Sequence, residues 1–265
     1  MKKLLVCLLA LSLFATGAAM AETLKVGMEC NYAPFNWTQA QATEFSVPLA
    51  DGGHADGYDV QVARFIAKEL GMELEIVKTE WAGLPMALTS GKIDAIIAGM
   101  SPTAERKVSI DFSDLYYESD LVIVINKGSK YENAAKLSDF EGAKISGQLN
   151  TLHYSVIDQI PGVLKQTPLD DFPALIVALA SGRIDGYVSE RPGALSAILS
   201  NPSFTFVAFA PGDGFNVSKS DTEVAVGLAK GSALTGQINA ILAKLDEPTR
   251  QQMMKDAVAR QPLSN

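Results

Sequence analysis

The chain has 265 residues, with 22 basic against 30 acidic side chains and a formal net charge of −8. An acidic balance of this size is unsuited to phosphate backbones, so nucleic acid is excluded as a partner. With only two histidines and two cysteines, the chain offers no metal-ligand cluster at a usual spacing, and neither a metal nor a cofactor is expected.

The N-terminus begins Met1-Lys2-Lys3, continues as an apolar run from Leu4 to Ala15, and ends its first segment in Ala19-Met20-Ala21. A basic start, a short apolar core and an A-x-A site define a secretory signal peptide over 1–21, cleaved after Ala21. The run is too short for a transmembrane helix. Cys7 lacks the small-residue context of a lipoprotein box, so release into the periplasm is expected. Cleavage would leave 20 basic against 30 acidic side chains and a single cysteine, Cys30, expected to be a buried, inert thiol without a disulfide. The remaining 244 residues suffice for two lobes.

Short apolar runs alternate with helical patterns from there on, which predicts parallel sheets covered by helices. Leu24–Met28 reads as a strand. Asp59–Leu70 reads as a helix, with Val62, Phe65, Ile66 and Leu70 on one face and Gly71 as its stop. The segment Thr38–Gly57 is polar and aperiodic, as in a surface loop. A strand at Met72–Val77, a helix at Leu84–Ser90 and buried strands at Asp94–Ala98 and Leu121–Ile125 follow. A second series begins near Ala143, with a strand in Lys144–Asn150 and helices at Thr151–Gln159 and Pro173–Ser181. Strands at Val163–Gln166, Asp185–Val188, Phe204–Phe209 and Glu223–Ala229 and helices at Thr235–Leu245 and Pro248–Ala259 complete the pattern.

The two series are copies. Trp81–Gly99 recurs 91 residues later as Phe172–Glu190, sharing Leu84/Leu175, Ala87/Ala178, Leu88/Leu179, Ser90/Ser181, Gly91/Gly182, Ile93/Ile184 and Asp94/Asp185. One long period seen twice implies two similar lobes and not a solenoid. The expected organisation is a first lobe at 22–125, a second at 126–217, and a return to the first at 218–265, so that two crossings form a hinge. Facing lobes enclose a crevice where a small molecule binds.

In such sheets ligands gather beyond the C-terminal strand ends. In the first copy that place holds Gly99-Met100-Ser101, then Pro102-Thr103-Ala104-Glu105-Arg106. Ser101 or Thr103 would cap a following helix, whose free N–H groups suit a carboxylate, and Arg106 would add a guanidinium fork. The plainer alternative makes Arg106 a solvated charge between Glu105 and Lys107. In the second copy the same place holds Ser189-Glu190, where Glu190 is either a crevice carboxylate or a surface acid neutralised by Arg191. A cation on one lobe and a carboxylate on the other match a zwitterion. Trp81 and Phe172 precede equivalent helices, Phe172 reading as core, and Tyr32 follows the first strand where a ring could face the crevice. No nucleophile elbow, P-loop or dinucleotide fingerprint is present, and Asp111/Asp114 lacks an acid–base context.

Five motifs together, Tyr32-Ala-Pro-Phe35, Gly57-Tyr-Asp59, Gly91-Lys-Ile-Asp-Ala95, Ser101-Pro-Thr-Ala-Glu-Arg106 with Asp111-Phe-Ser-Asp114, and Gly182-Arg-Ile-Asp185, resemble the family-3 extracellular solute-binding proteins, the polar amino-acid receptors of ABC importers. The resemblance implies an α/β, two-lobed periplasmic-binding-protein fold of type II that closes about a two-segment hinge. It implies that Arg106 grips a ligand carboxylate, helped by backbone N–H groups at Ser101 and Thr151. Gly99, Ser101 and Glu190 would meet the amino group, and Tyr32 and Trp81 the side chain. Glu29 falls where members that bind basic side chains carry an acid, and the family's usual aspartate is here the longer Glu190. The implied activity is capture of an L-amino acid (arginine, lysine or histidine, with glutamine the nearest competitor) by a monomer that delivers it to a membrane permease. A dehydratase-like enzyme on the same fold is the alternative from another class.

Overall fold

The computed structural model describes residues 22–262. The signal peptide expected at 1–21 and its cleavage after Ala21 lie outside the described residues.

Two five-stranded sheets of matching design form the body. In the first, Glu73–Lys78, Thr23–Met28 and Ala95–Ile96 run parallel, and Glu223–Leu228 lies antiparallel between Ala95–Ile96 and Asp111–Glu118. In the second, Leu164–Lys165, Lys144–Ser146 and Gly186–Glu190 run parallel, and Leu121–Asn126 lies antiparallel between Gly186–Glu190 and Phe204–Val207. Thr23–Met28 alternates at its start and is fully buried at its end, as a strand covered on both faces must be.

The repeated segment is scaffold in both lobes. The helices Leu84–Thr89 and Phe172–Ala180 each end before a glycine in the left-handed region, Gly91 at φ 73° and Gly182 at φ 70°. The repeated aspartates then do the same work. Asp94 Oδ2 accepts from Lys25 N at 2.8 Å, and Asp185 Oδ2 accepts from Lys144 N at 2.8 Å. Each ties the start of its lobe's first strand to the loop entering the central one.

The helix expected at Asp59–Leu70 runs Tyr58–Leu70, burying Val62 and Ile66 and closing on Gly71 in the left-handed conformation. The helix Glu247–Arg260 packs on it and on Arg191–Ser200 of the second lobe. Gln261 Nε2 donates to the Ser196 carbonyl at 3.2 Å, tying the C-terminal end to that second-lobe helix.

Three expectations need correction. Thr38–Gly57 is not a plain surface loop: Asn36–Gln39, Val47–Pro48 and His54–Asp56 join Asn31–Tyr32 in a small antiparallel sheet. Its strands have two to four residues, too few to display alternation, and Val47, Leu49 and Ala55 are buried beneath polar neighbours. The first lobe does not extend to residue 125, because Leu121–Asn126 pairs entirely within the second sheet. The chain therefore crosses at Ser119–Asp120, and again between Phe204–Val207 and Glu223–Leu228. The two crossings lie side by side, with Ser119 N donating to the Thr222 carbonyl at 3.1 Å. Lastly, no helix is capped by Ser101. The helix there is only Arg106–Ser109, with Thr103 Oγ1 accepting from Arg106 N at 3.3 Å.

Candidate functional site

The lobes are closed on one another over a cavity of about 20 Å³, room for about one water molecule. Tyr32, Trp81, Gly99, Ser101 and Arg106 line it from the first lobe; Gln148, Thr151, Leu152, His153 and Glu190 line it from the second, with Asp221 beside the crossing. Seven of the residues singled out in the sequence are thus brought together, and Glu29 lies just behind them. A wider groove of about 810 Å³ runs outside, past Lys107, Asp111 and Lys230. In that groove Lys230 pairs with Asp111 at 2.8 Å.

Arg106 supplies the cavity's cation. Its Nη1 donates to the Ser101 carbonyl at 2.9 Å and its Nη2 to the Asn150 carbonyl of the second lobe at 3.3 Å. The guanidinium carbon sits 5.0 Å from the Trp81 ring centroid, a cation–π distance. Desolvation is the main force on the group and pulls it down to about 10, so it stays charged at neutral pH. Three of its five N–H donors have no protein partner among the described residues. With the following helix only four residues long, the guanidinium carries the attraction for an anion and the helix adds little. Trp81 Nε1 donates to the same Asn150 carbonyl at 3.2 Å, so one second-lobe peptide is held by two first-lobe side chains.

Tyr32 is wedged between the lobes. Its ring stacks on Phe35 at 5.0 Å and, across the cleft, on Phe172 at 4.2 Å with an interplanar angle of 11°. Phe172 is therefore a cleft residue as well as a core one. Two glycines make the space. A Cβ on Gly99, which has φ 62°, would stand 3.1 Å from the Tyr32 ring, and one on Gly193 would stand 3.3 Å from its other edge. The Tyr32 hydroxyl is buried without a partner.

Behind Gly99 lies a network that sequence reading missed. Asp59 accepts from Tyr116 Oη at 2.7 Å and from Asn36 Nδ2 at 2.8 Å. Tyr116 Oη in turn accepts from Gly99 N at 3.2 Å, and Asn36 Oδ1 accepts from Cys30 N at 2.8 Å. One fully buried carboxyl thus fixes the backbone on both sides of Tyr32. Burial, only partly offset by these bonds, raises Asp59 to about 7. The signal for it was present in the Gly57-Tyr-Asp59 motif, read there only as a helix start.

Glu29 is buried, and its Oε1 accepts from Gln148 Nε2 of the second lobe at 2.9 Å, while Oε2 has no partner. Desolvation, opposed by the Gln148 bond, lifts it to about 8. Glu190 ends the strand Gly186–Glu190 and is 3 % exposed. Its Oε1 lies 3.7 Å from His153 Nε2, and its Oε2 is unpartnered. Thr151 Oγ1 donates to the Gln148 carbonyl at 2.7 Å. The arrangement sets a cation and a buried carboxylate on opposite lobes of one enclosed space. Gln148, Leu152, His153 and Asp221 escaped the sequence reading because they lie outside the matched motifs.

A family model of the bacterial extracellular solute-binding proteins, family 3, matches residues 24–256. The chain belongs to this family. It is 33% identical over 196 residues to a probable histidine-binding protein of Campylobacter jejuni, covering 73% of this chain and 71% of the relative. It is 27% identical over 229 residues to the arginine-binding extracellular protein ArtP of Bacillus subtilis, covering 84% and 81%. Among solved structures it resembles an amino acid ABC transporter substrate-binding protein from Streptococcus pneumoniae bound to L-arginine. The TM-score is 0.76 at 30% identity, covering 89% of this chain and 94% of that one.

Proposed function

We propose that this family member captures an L-amino acid with a basic or polar side chain (arginine, lysine or histidine) in the periplasm and delivers it as a monomer to the permease of an ABC importer. The observation that carries the reading is the opposition of Arg106 and Glu190 across one closed inter-lobe cavity. Arg106 takes the ligand carboxylate, with Ser101 and Thr151 beside it. Glu190 takes the ammonium, with Gly99 and Ser101 facing it. Tyr32 and Trp81 flank the side chain, and Glu29 stands where it would end. A zwitterion engages both Arg106 and Glu190, so the protein acts as a receptor and not as an enzyme. Histidine- and arginine-binding relatives support the ligand class.

Opening about the hinge admits the ligand and closure buries it. The test is a thermal-shift panel of the twenty L-amino acids on the mature protein. A ligand at 100 times its Kd adds about 2.7 kcal/mol to stability, so a basic amino acid is expected to raise Tm clearly. Arg106→Ala is expected to abolish the shift for every amino acid. If no amino acid moves Tm, the reading fails; if Arg106→Ala still responds fully, the assignment of the carboxylate site fails.

A further inference from the structure

His153 occupies the first turn of the short helix Leu152–Ser155 and is 8 % exposed. Its ring stands edge-on to Phe172 at 5.6 Å, which aims Nε2 at Glu190 Oε1, 3.7 Å away. That separation is too long for a hydrogen bond. His153 Nδ1 and Glu190 Oε2 are both buried and both without partners. A carboxylate this enclosed, with neither oxygen satisfied by protein, is arranged to accept from something that enters the cavity.

The groups facing this pair are few. Arg106, Asp221 and the Tyr32 hydroxyl share the cavity. Tyr187 and Asp171 lie around Phe172, on the central strand and at the N-terminus of the helix Phe172–Ala180. Glu29 connects through Gln148. None of these bonds to His153 or to the side chain of Glu190. Protonation of this ring would place a new positive charge where the ligand ammonium meets Glu190.

We propose that His153 is a positioning residue that shares Glu190 with the ligand ammonium, so that proton uptake by His153 weakens ligand binding. This rests on the amino-acid reading given above. Neutral imidazole leaves the carboxylate to the ligand. Imidazolium pairs with Glu190 and repels the ammonium, so the receptor releases its ligand as the medium turns acid.

The test measures Kd for L-arginine by calorimetry at pH 8 and pH 5.5, with wild type and His153→Gln; if arginine does not bind, the tightest binder of the twenty replaces it. Glutamine retains size and polarity but takes up no proton. Glu29 gains a proton over the same range in both proteins, so the comparison between them cancels its effect. Wild-type affinity is expected to fall about tenfold more than that of His153→Gln, a difference of about 1.4 kcal/mol. Parallel pH profiles, or an equal loss of affinity in the variant at both pH values, overturn the proposal. His153→Asn gives the same comparison if the glutamine variant does not fold. Absence of binding by wild type to any amino acid at either pH removes the amino-acid reading, and this proposal with it.

Discussion

Glu29→Gln is expected to remove about half of a decline in stability that the ligand-free protein shows between pH 5 and pH 8. Glu29 is 5 % exposed, and its ionised form would bury a charge with one hydrogen bond, from Gln148, and one bare oxygen. Burial therefore lifts the carboxyl from 4.5 in the unfolded chain to about 8 in the fold. Between those values the folded protein holds a proton that the unfolded chain has released. A raised carboxyl contributes stability that is complete below the unfolded value and is lost as pH rises through the folded one. At 1.36 kcal/mol per unit, integration from pH 5 to pH 8 gives a loss of about 3.5 kcal/mol. Glutamine keeps an acceptor for Gln148 Nε2 and has nothing to titrate. Asp59, raised to about 7, pulls in the same direction, but it does so in both proteins. Urea unfolding of wild type and variant at four pH values over this range isolates the Glu29 contribution as the difference of two slopes. Parallel curves would refute the burial argument. So would a wild type that gains on the variant as pH rises.

Gly99→Ala is expected to lower stability by about 1–3 kcal/mol, because it strains a left-handed residue and pushes a methyl against Tyr32; an unchanged unfolding midpoint would contradict the packing described. Cys30, 2 % exposed and with its thiol pushed up to about 12 by burial, is expected to resist a thiol reagent at pH 8 in the native protein and to react at once in denaturant. Rapid native labelling would place it nearer solvent.

Elements with a local cause were readable before any coordinates. The repeated Gly-Lys/Arg-Ile-Asp announced two lobes, and Asp94 and Asp185 make matching bonds to Lys25 and Lys144. Arg106 and Glu190 stood out because each follows the C-terminal end of its lobe's central strand. Contacts created by closure had no such signature. Phe172 looked like core from its place before a helix, and only juxtaposition of the lobes stacks it on Tyr32. Glu29 was readable as an acid near the crevice, but its partner Gln148 lies 119 residues away. Asp111–Glu118 went unread as a strand because half-buried polar residues interrupt its alternation and bulges shift its register.

The bond from Ser119 to Thr222 joins the two crossings into something like the spine of a book. Two separate threads would let the covers slide or twist independently. Threads stitched together leave chiefly one way of moving, a swing about the stitch. Every atom of the far cover then follows an arc whose length grows with its distance from the spine. A small rotation at the stitch therefore opens the space between the lobes most at the edge farthest from it.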